Sequence, residues 1–385
     1  MLNRKIPLSW LQLTREKPRL LVAIAGIAFA DILMFMQLGF QAALYDSTTR
    51  LHKSIRADLV LISPQGRNLM NMATFPRRRL YQAQSLAGVK SANALYVNIA
   101  DWKNPQTRHK TGILVVGFDP EKSAFDLPGV NENLDTIKLP DAVLFDRSSR
   151  GDYKATIARV DQGKAVSTEV GDRKINISGL FSIGASFGAD GSLITSDLNF
   201  LRIFPRRNPE SISVGLITLQ PGTDSRLTAD AMQKILPNDV KVLTKQEFIT
   251  FERDYWQKNT AIGFIFSLGT MMGFIVGVII VYQILYTDVA DHIAEYATLK
   301  AMGYKNLYLL AVVFQEALIL SILGYIPGIG LSTGLYALTR NATNLPLFMA
   351  TLRAIQVLIM TIVMCVISGA IAMRKLQAAD PADIF

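Results

Sequence analysis

The sequence of 385 residues contains little cysteine, histidine or charge. One cysteine, Cys365, and three histidines leave no cysteine pair for a disulfide and few side chains for a metal site. The sequence contains neither the P-loop motif G-x-x-x-x-G-K-[ST] nor the zinc-binding motif H-E-x-x-H. We therefore expect neither a metal site nor an enzymatic active site. Charged residues supply 18% of the chain and hydrophobic residues 50%, with a mean hydropathy of +0.26, which favours contact with a bilayer.

Four apolar runs are long enough to cross the hydrocarbon core, which requires about 20 helical residues. The first run continues well beyond the small-x-small pattern Ala28-Phe29-Ala30, so an uncleaved anchor is favoured over a signal peptide. The residues before it carry five basic side chains and one acid, so the positive-inside rule predicts cytoplasmic termini in a bacterial inner membrane. The predicted spans are 20–45, 260–286, 307–338 and 354–373.

The predicted fold class is an α-helical membrane protein with four transmembrane helices and a large α+β extracytoplasmic domain between the first two. Strand-like runs separated by turn residues fill 46–259, with helical patterns at Arg77–Ala87 and Ser225–Leu236. Residues 119–208, richer in Gly and Asp, are predicted as an inserted lobe, and Lys245–Lys258 as a helix that continues directly into the second span. The remaining segments are the N-terminal segment 1–19, a cytoplasmic coupling loop 287–306, a periplasmic loop 339–353 and a cytoplasmic tail 374–385.

Several polar or basic segments have ordinary structural explanations. Residues 1–19 fit an amphipathic helix on the inner membrane surface and fit a flexible basic tail equally well. The glycine tract 184–191 lacks the Lys-Ser/Thr ending and the helix of a phosphate loop, so a surface turn is favoured. The arginine clusters 77–79 and 206–207 are interpreted as solvated faces, and the net charge of +9 does not indicate nucleic acid.

Glycine and proline mark special positions in the second and third spans. Gly269, Gly273 and Gly277 repeat every four residues, a spacing that allows a neighbouring helix to approach closely. We expect substitution of Gly273 to weaken assembly of a homodimer. Pro327 is expected to kink the long third span, because proline removes a backbone donor.

Two acids, Asp31 and Glu316, lie within predicted spans without an obvious basic partner. An intramembrane carboxyl is a functional candidate, for example in a proton path. Because no second ionisable side chain accompanies either acid in the predicted spans, we favour a structural role with hydrogen bonds from amides such as Gln37, Gln283 and Gln315.

The loop between the second and third spans has a helical pattern. Ile293, Ala297 and Ala301 share one face, and Gly303 is suited to end such a helix in a left-handed conformation. A solvated connection is the alternative. His292, the only histidine in the predicted cytoplasmic segments, is interpreted as a solvated side chain.

This loop resembles the coupling segment of FtsX-like permeases, in which a Glu, a short helix and Ala-x-Gly precede the third span. The arrangement of spans around a large domain is similar to the MacB-like, or type VII, ABC exporters. The stretches Pro7–Thr14 and Ile27–Leu33 most resemble DevC-type permeases of the cyanobacterial heterocyst-glycolipid exporters. The resemblance implies transmission of mechanical motion and no transport between the spans. The coupling residues that it implies are Glu295, Leu299, Lys300, Ala301 and Gly303.

The resemblance also implies a set of partners. A homodimer of this chain is expected to work with a separate DevA-like ABC ATPase, which would bind ATP and magnesium, while this chain binds no cofactor directly. A DevB-like periplasmic adaptor would connect it to a TolC-like outer-membrane channel, with an amphiphile such as a glycolipid as the cargo. Membrane lipids are expected contacts and nucleic acid is not. The chain ends Ile384-Phe385 where many relatives have Leu-Arg. The alternative is an FtsX-type regulator of a periplasmic cell-wall hydrolase.

Overall fold

The computed structural model describes Arg15, residues 17–295, Thr298, residues 302–303, 306–343 and 345–378. Predictions for the segment before Arg15, for Leu299, Lys300 and Ala301, and for the tail beyond Ala378 lie outside these residues. The helices are α1 (Lys17–Ser54), α2 (Arg78–Gln84), α3 (Pro128–Asn131), α4 (Lys154–Asp161), α5 (Asp197–Ile203), α6 (Ser225–Ile235), α7 (Lys245–Lys258), α8 (Ala261–Asp291), α9 (Asn306–Thr343) and α10 (Thr351–Ala378).

The chain divides into two compact units. The membrane unit comprises residues up to 42, 262–340 and 347 onward, and the α/β unit comprises 43–261 with 341–346. Helices α1, α8, α9 and α10 are long and apolar enough to cross a membrane. The predicted fold class is confirmed, since four such helices accompany a large α/β domain that lies between the first two in the chain.

The helix predicted to run from Lys245 into the second span is interrupted. Helix α7 ends at Lys258, where Asn259 is its C-cap with φ −104° and ψ 3°, and α8 begins at Ala261. The prediction of one continuous helix is therefore wrong. In contrast, α9 continues through Pro327, and the predicted kink there stays a prediction.

The α/β unit is built around a sheet of nine strands in the order β11-β1-β10-β3-β4-β8-β5-β7-β6, with a separate pair formed by β2 and β9. Strand pairs β4–β8 and β5–β7 are parallel and the other pairs are antiparallel. The strands are β1 (Leu59–Ile62), β2 (Phe75–Pro76), β3 (Val89–Lys103), β4 (Lys110–Phe118), β5 (Ala142–Asp146), β6 (Val166–Val170), β7 (Arg173–Phe181), β8 (Ser192–Ser196), β9 (Ser211–Ile212), β10 (Val214–Leu219) and β11 (Lys241–Thr244).

The segment 119–208, predicted as an inserted lobe, contributes β5 to β8 to this same sheet. Strand β6 also pairs with β3, where Trp102 opposes Val170. The inserted strands therefore curl back onto the far half of β3 and share its core. Trp102 stacks on Phe145 at 5.2 Å between ring centroids and donates a 3.0 Å hydrogen bond from Nε1 to the Tyr153 hydroxyl.

Both faces of the sheet are covered. Along β1, Leu59 and Leu61 pack into one hydrophobic cluster while Val60 and Ile62 pack into another, because alternate residues of a strand point to opposite faces. Every residue of β1 is buried, as expected for a strand with apolar layers on both sides. The α/β unit thus has a substantial core without disulfides.

Candidate functional site

A charged cluster occupies the C-terminal end of α8 in the membrane unit. The Arg19 guanidinium lies between two carboxylates, with Nη2 2.5 Å from Asp291 Oδ2 and Nη1 3.7 Å from Asp288 Oδ1. Asp288 is buried, whereas the Asp291 side chain is 52% exposed. Arg19 therefore ties the beginning of α1 to the end of α8. Its positive charge also lies where the α8 dipole favours a cation.

Two further ionisable residues join this cluster. Glu316 of α9 is fully buried and has Asp288, two residues beyond the predicted second span, as its ionisable neighbour. Asp288 and Glu316 come from different helices, so the sequence did not show that they are close. His292 is buried, with Nδ1 2.9 Å from the Asp288 carbonyl oxygen, so its interpretation as a solvated side chain is wrong.

The predicted coupling loop 287–306 begins within this cluster, since it includes Asp288, Asp291 and His292. Glu295 is exposed and lies 3.9 Å from Arg15, measured between Oε1 and Nη1, in an ion pair whose side chains are about half to three-quarters solvated. Gly303 has φ +93°, in the left-handed region that favours glycine, and a Cβ at this position would meet no atom within 4 Å. A side chain at 303 would therefore be disfavoured by backbone conformation alone. The roles of Glu295 and Gly303 in coupling stay predictions.

Asp31 lies at a junction of three membrane helices. It is fully buried, and Thr361 of α10 donates a 2.6 Å hydrogen bond from Oγ1 to its Oδ1. On α9, a Cβ added to Gly328 would lie 2.9 Å from the Asp31 Cβ, so that glycine permits the close approach of α1. The observed donor is thus a hydroxyl, not one of the amides that the sequence suggested.

The glycine repeat of α8 packs within the protein's own membrane unit. A Cβ at Gly269 would lie 2.5 Å from the Gln37 Cδ, and one at Gly273 would lie 3.2 Å from the Leu33 Cβ. At Gly277 a Cβ would contact the Met364 sulfur and would lie 2.9 Å from the Ala30 Cβ. The close neighbour is therefore α1 of the same chain, with Met364 of α10. Gly273 therefore has a packing contact inside one protomer, and its role in dimer assembly stays a prediction.

In the α/β unit, the beginning of the glycine tract 184–191 contacts a carboxylate of the protein itself. The backbone N–H groups of Ile183 and Gly184 donate to the Asp146 oxygens at 3.1 Å and 2.7 Å. Burial raises the pKa of Asp146 although these hydrogen bonds oppose the shift. These donors are occupied by Asp146, in agreement with a structural turn in place of a phosphate loop.

A second buried acid, Glu252, was not found from the sequence. Its carboxylate accepts hydrogen bonds from the Leu69 N–H at 2.8 Å and from Trp256 Nε1 at 2.9 Å, and its Oε2 lies 3.4 Å from His52 Nε2. His52 and Glu252 are both fully buried. This contact joins the C-terminal end of α1 to α7. The i,i+4 spacing of Glu252 and Trp256 on a helix was visible in the sequence, but the partner His52 lies 200 residues away.

One of the predicted solvated arginines is also buried. Arg79 forms a bidentate contact with Asp239, at 2.9 Å from Nε and 2.7 Å from Nη2. Arg207 donates a 2.7 Å hydrogen bond to the Ser213 hydroxyl. These two arginines therefore hold α2 and the segment before β10 in place, and the interpretation of Arg79 as part of a solvated face is wrong.

Residues 265–381 match the family model described as FtsX-like permease C-terminal. The match covers most of α8 together with α9, α10 and the predicted coupling loop, so this part of the chain is similar to that family. No curated protein matches the chain in sequence.

Three solved structures are similar to the chain over about half its length. The periplasmic region of MacB from Actinobacillus actinomycetemcomitans is 10% identical, with a TM-score of 0.36, over 51% of this chain and 94% of that one. The extracellular domain of the noncanonic ABC-type transporter YknZ from Gram-positive bacteria is 12% identical, with a TM-score of 0.32, over 49% and 100%. A domain of a putative permease from Porphyromonas gingivalis is 15% identical, with a TM-score of 0.29, over 48% and 88%.

Proposed function

We propose that this chain is the permease and mechanotransmission subunit of an ABC-type exporter, driven by a separate ATPase that docks on the coupling loop 287–306. The observation that carries the proposal is the FtsX-like permease match across residues 265–381, which includes that loop and the helices on both sides of it. The two carboxylates around Arg19 support it further, because they connect the loop end of α8 to α1.

The charged cluster suggests how a displacement of the coupling loop would be transmitted to the membrane helices. A displacement of the loop shifts Asp288 and Asp291, which hold Arg19 of α1, while Asp288 also adjoins Glu316 of α9. The buried Asp288 carboxylate resists separation from Arg19, because an unpaired charge in a low-dielectric environment costs several kcal/mol. Movement of the end of α8 is therefore passed to α1. The tight glycine contacts between α8 and α1 then carry it along both helices.

The α/β unit would lie in the periplasm and receive this motion through α1 and α7. There it would engage a periplasmic adaptor, DevB-like in the proposed assembly, that connects to a TolC-like channel, while the ATPase partner is DevA-like. The chain would act as a homodimer in the inner membrane with both termini in the cytoplasm, and a glycolipid or another amphiphile is the proposed cargo.

Purification of the full chain with its associated proteins from the native bacterium tests this assignment. Mild detergent and an affinity tag would recover the partners, which mass spectrometry then identifies. Recovery of an ATPase with a nucleotide-binding loop, together with an adaptor that has a long helical hairpin, is the expected result. Recovery of a cell-wall hydrolase without an adaptor would contradict export and identify the chain as an FtsX-type regulator.

A further inference from the structure

A polar cleft opens on the α/β unit beside the beginning of β1. Its volume is about 600 Å³, within the range of small-molecule sites. Its walls come from the residues after α1, from β3, from the loop after β4, from β10 and from the first residue of α7. The charged and amide side chains in these walls include Arg56, Asp58, Lys90, Asn93, Lys122 and Lys245.

Two of the cations are fixed in position. Lys245 donates a 2.7 Å hydrogen bond from Nζ to the Ile55 carbonyl oxygen, a contact that orients its charge without neutralising it. Arg56 pairs at 3.1 Å with Asp126, the second carboxylate in the cleft wall beside Asp58, and both side chains are substantially exposed. The backbone around them is also held, because the Arg56 N–H donates to the Ala124 carbonyl at 2.8 Å. The cleft therefore has a defined wall between α1 and the loop after β4.

The other cations remain available. Lys90 and Lys122 are exposed, and neither has a hydrogen bond or an ion pair from its side chain within the described part of the chain. Asp58 is already engaged, since its Oδ2 accepts a 2.8 Å hydrogen bond from the Leu219 N–H. The Asn93 Oδ1 is buried and has no hydrogen-bond partner among the described residues. Cations thus exceed carboxylates in the cleft, and one amide acceptor is unsatisfied.

We propose that this cleft binds an anionic, hydroxyl-bearing small molecule or head group. Lys90 and Lys122 hold its phosphate or carboxylate, because ammonium groups form charge-assisted hydrogen bonds with such oxygens. Asn93 lines the same cleft, and rotation of its side chain would bring the unsatisfied Oδ1 to a hydroxyl of the bound molecule. The size of the cleft fits a head group and not a folded protein surface. The evidence for this site comes from the cleft alone, so the proposal does not depend on the assignment of the chain to an exporter.

Binding to the full chain in phosphatidylcholine nanodiscs tests the site. Titration calorimetry would compare glycerol 3-phosphate, a free anion, with dihexanoylphosphatidylglycerol, a lipid head group, and with uncharged glycerol. The test variant is the double substitution Lys90→Gln and Lys122→Gln. The matched control is Lys154→Gln with Lys234→Gln, which removes two exposed lysines outside the cleft. Tighter binding of the free or the lipid anion identifies the source.

Both anions are expected to bind more tightly than glycerol. We expect the test variant to weaken their binding by about tenfold or more, and the control to change it by less than about twofold. Equal losses in the two variants would show non-specific attraction and overturn the site. Absence of binding to the wild-type chain, or preferential binding of an acidic peptide such as oligoglutamate, would overturn it as well. Co-purification of an ATPase in the same preparation reports separately on the exporter assignment.

Discussion

Thr361 and Asp31 are separated by 330 residues and joined by a 2.6 Å hydrogen bond from the Thr361 Oγ1 to the Asp31 Oδ1. Both side chains are fully buried. The bond connects α1 to α10, and the contact of Gly328 with Asp31 adds α9. One buried acid thus determines how three membrane helices pack.

Substitution Thr361→Ala is expected to destabilise the membrane unit by about 1–3 kcal/mol, because it leaves a buried carboxyl without its donor. Thermal unfolding of the full chain in detergent measures the effect. Thr333→Ala is the matched control, since Thr333 is an exposed helical threonine whose hydroxyl bonds only to the Ile329 carbonyl of its own helix. Equal unfolding midpoints for the two variants would show that the Asp31 contact is not stabilising.

Gly277→Leu is expected to disrupt the membrane unit itself, because the new side chain would overlap Ala30 and Met364. Overpacking of this kind costs about 1–3 kcal/mol or more. Gly330→Leu is the control, since a Cβ at Gly330 meets no atom within 4 Å. Size-exclusion chromatography and thermal unfolding distinguish loss of folding from loss of dimer. A well-folded monomer of Gly277→Leu would instead place this glycine at a dimer interface.

The beginning of α7 carries a capping box, in which Thr244 caps the N–H of Glu247 and the Glu247 carboxylate accepts from the Thr244 N–H. Thr244→Ala is expected to cost about 1 kcal/mol. Thr250→Ala is the control, because the Thr250 hydroxyl bonds only to the Gln246 carbonyl four residues earlier. The thermal unfolding midpoints of the full chain measure the effect of each substitution, and we expect a lower midpoint only for Thr244→Ala.

The same cap predicts a dependence on pH. The hydrogen bond from the Thr244 N–H holds the pKa of Glu247 below its ordinary value. A depressed carboxyl pKa contributes stability above the unfolded-state pKa, and this contribution is lost as the pH falls through the folded-state value. The midpoint difference between wild type and Glu247→Gln should therefore shrink between about pH 6 and about pH 3. A difference that stays constant over this range would contradict the assignment.

The proposed topology can be tested with single cysteines after replacement of the buried Cys365. We expect an impermeant thiol reagent to label Lys164→Cys in intact spheroplasts and to label Met302→Cys only after lysis, since both positions are exposed and belong to opposite sides of the membrane in the proposed arrangement. Labelling of Met302→Cys in intact spheroplasts would show that the chain has the opposite orientation in the membrane.

Hydropathy and local periodicity predicted the fold class, because apolar runs of membrane length and the alternation of strands are patterns formed by residues close together in the sequence. They also predicted that the α8 glycines would face a close neighbour. They did not identify that neighbour, since Leu33 and Ala30 lie more than 200 residues away from the glycines in sequence. The break between Lys258 and Ala261 was missed, although Asn259 is a residue type that can end a helix and the sequence changes there from polar to apolar.

The polar contacts of the candidate site were the least predictable part. The sequence located Asp31 and Glu316 within apolar runs, but the partner Thr361 of Asp31 and the neighbour Asp288 of Glu316 belong to other helices. Each partner residue looks ordinary in its own segment. The role of a buried charge depends on these distant contacts, so it becomes visible only when the helices are packed.

In the proposed function, the loop that contains the exposed Glu295 passes ATPase motion into the membrane unit. Glu295→Lys reverses a charge on that surface, and Gly303→Leu imposes a side chain on a left-handed backbone position. Both are expected to remove stimulation of the partner ATPase while the chain still folds and inserts. Glu132→Lys, a charge reversal at an exposed position of the α/β unit, is the matched control and should leave stimulation intact.

The most direct measurement is the ATP hydrolysis rate of the co-purified ATPase, reconstituted with wild-type chain, Glu295→Lys or Glu132→Lys in the same lipid. Wild type and Glu132→Lys should stimulate hydrolysis equally, and Glu295→Lys should leave the rate at that of the ATPase alone. Full stimulation by Glu295→Lys together with Gly303→Leu, at normal partner binding, would contradict coupling through this loop.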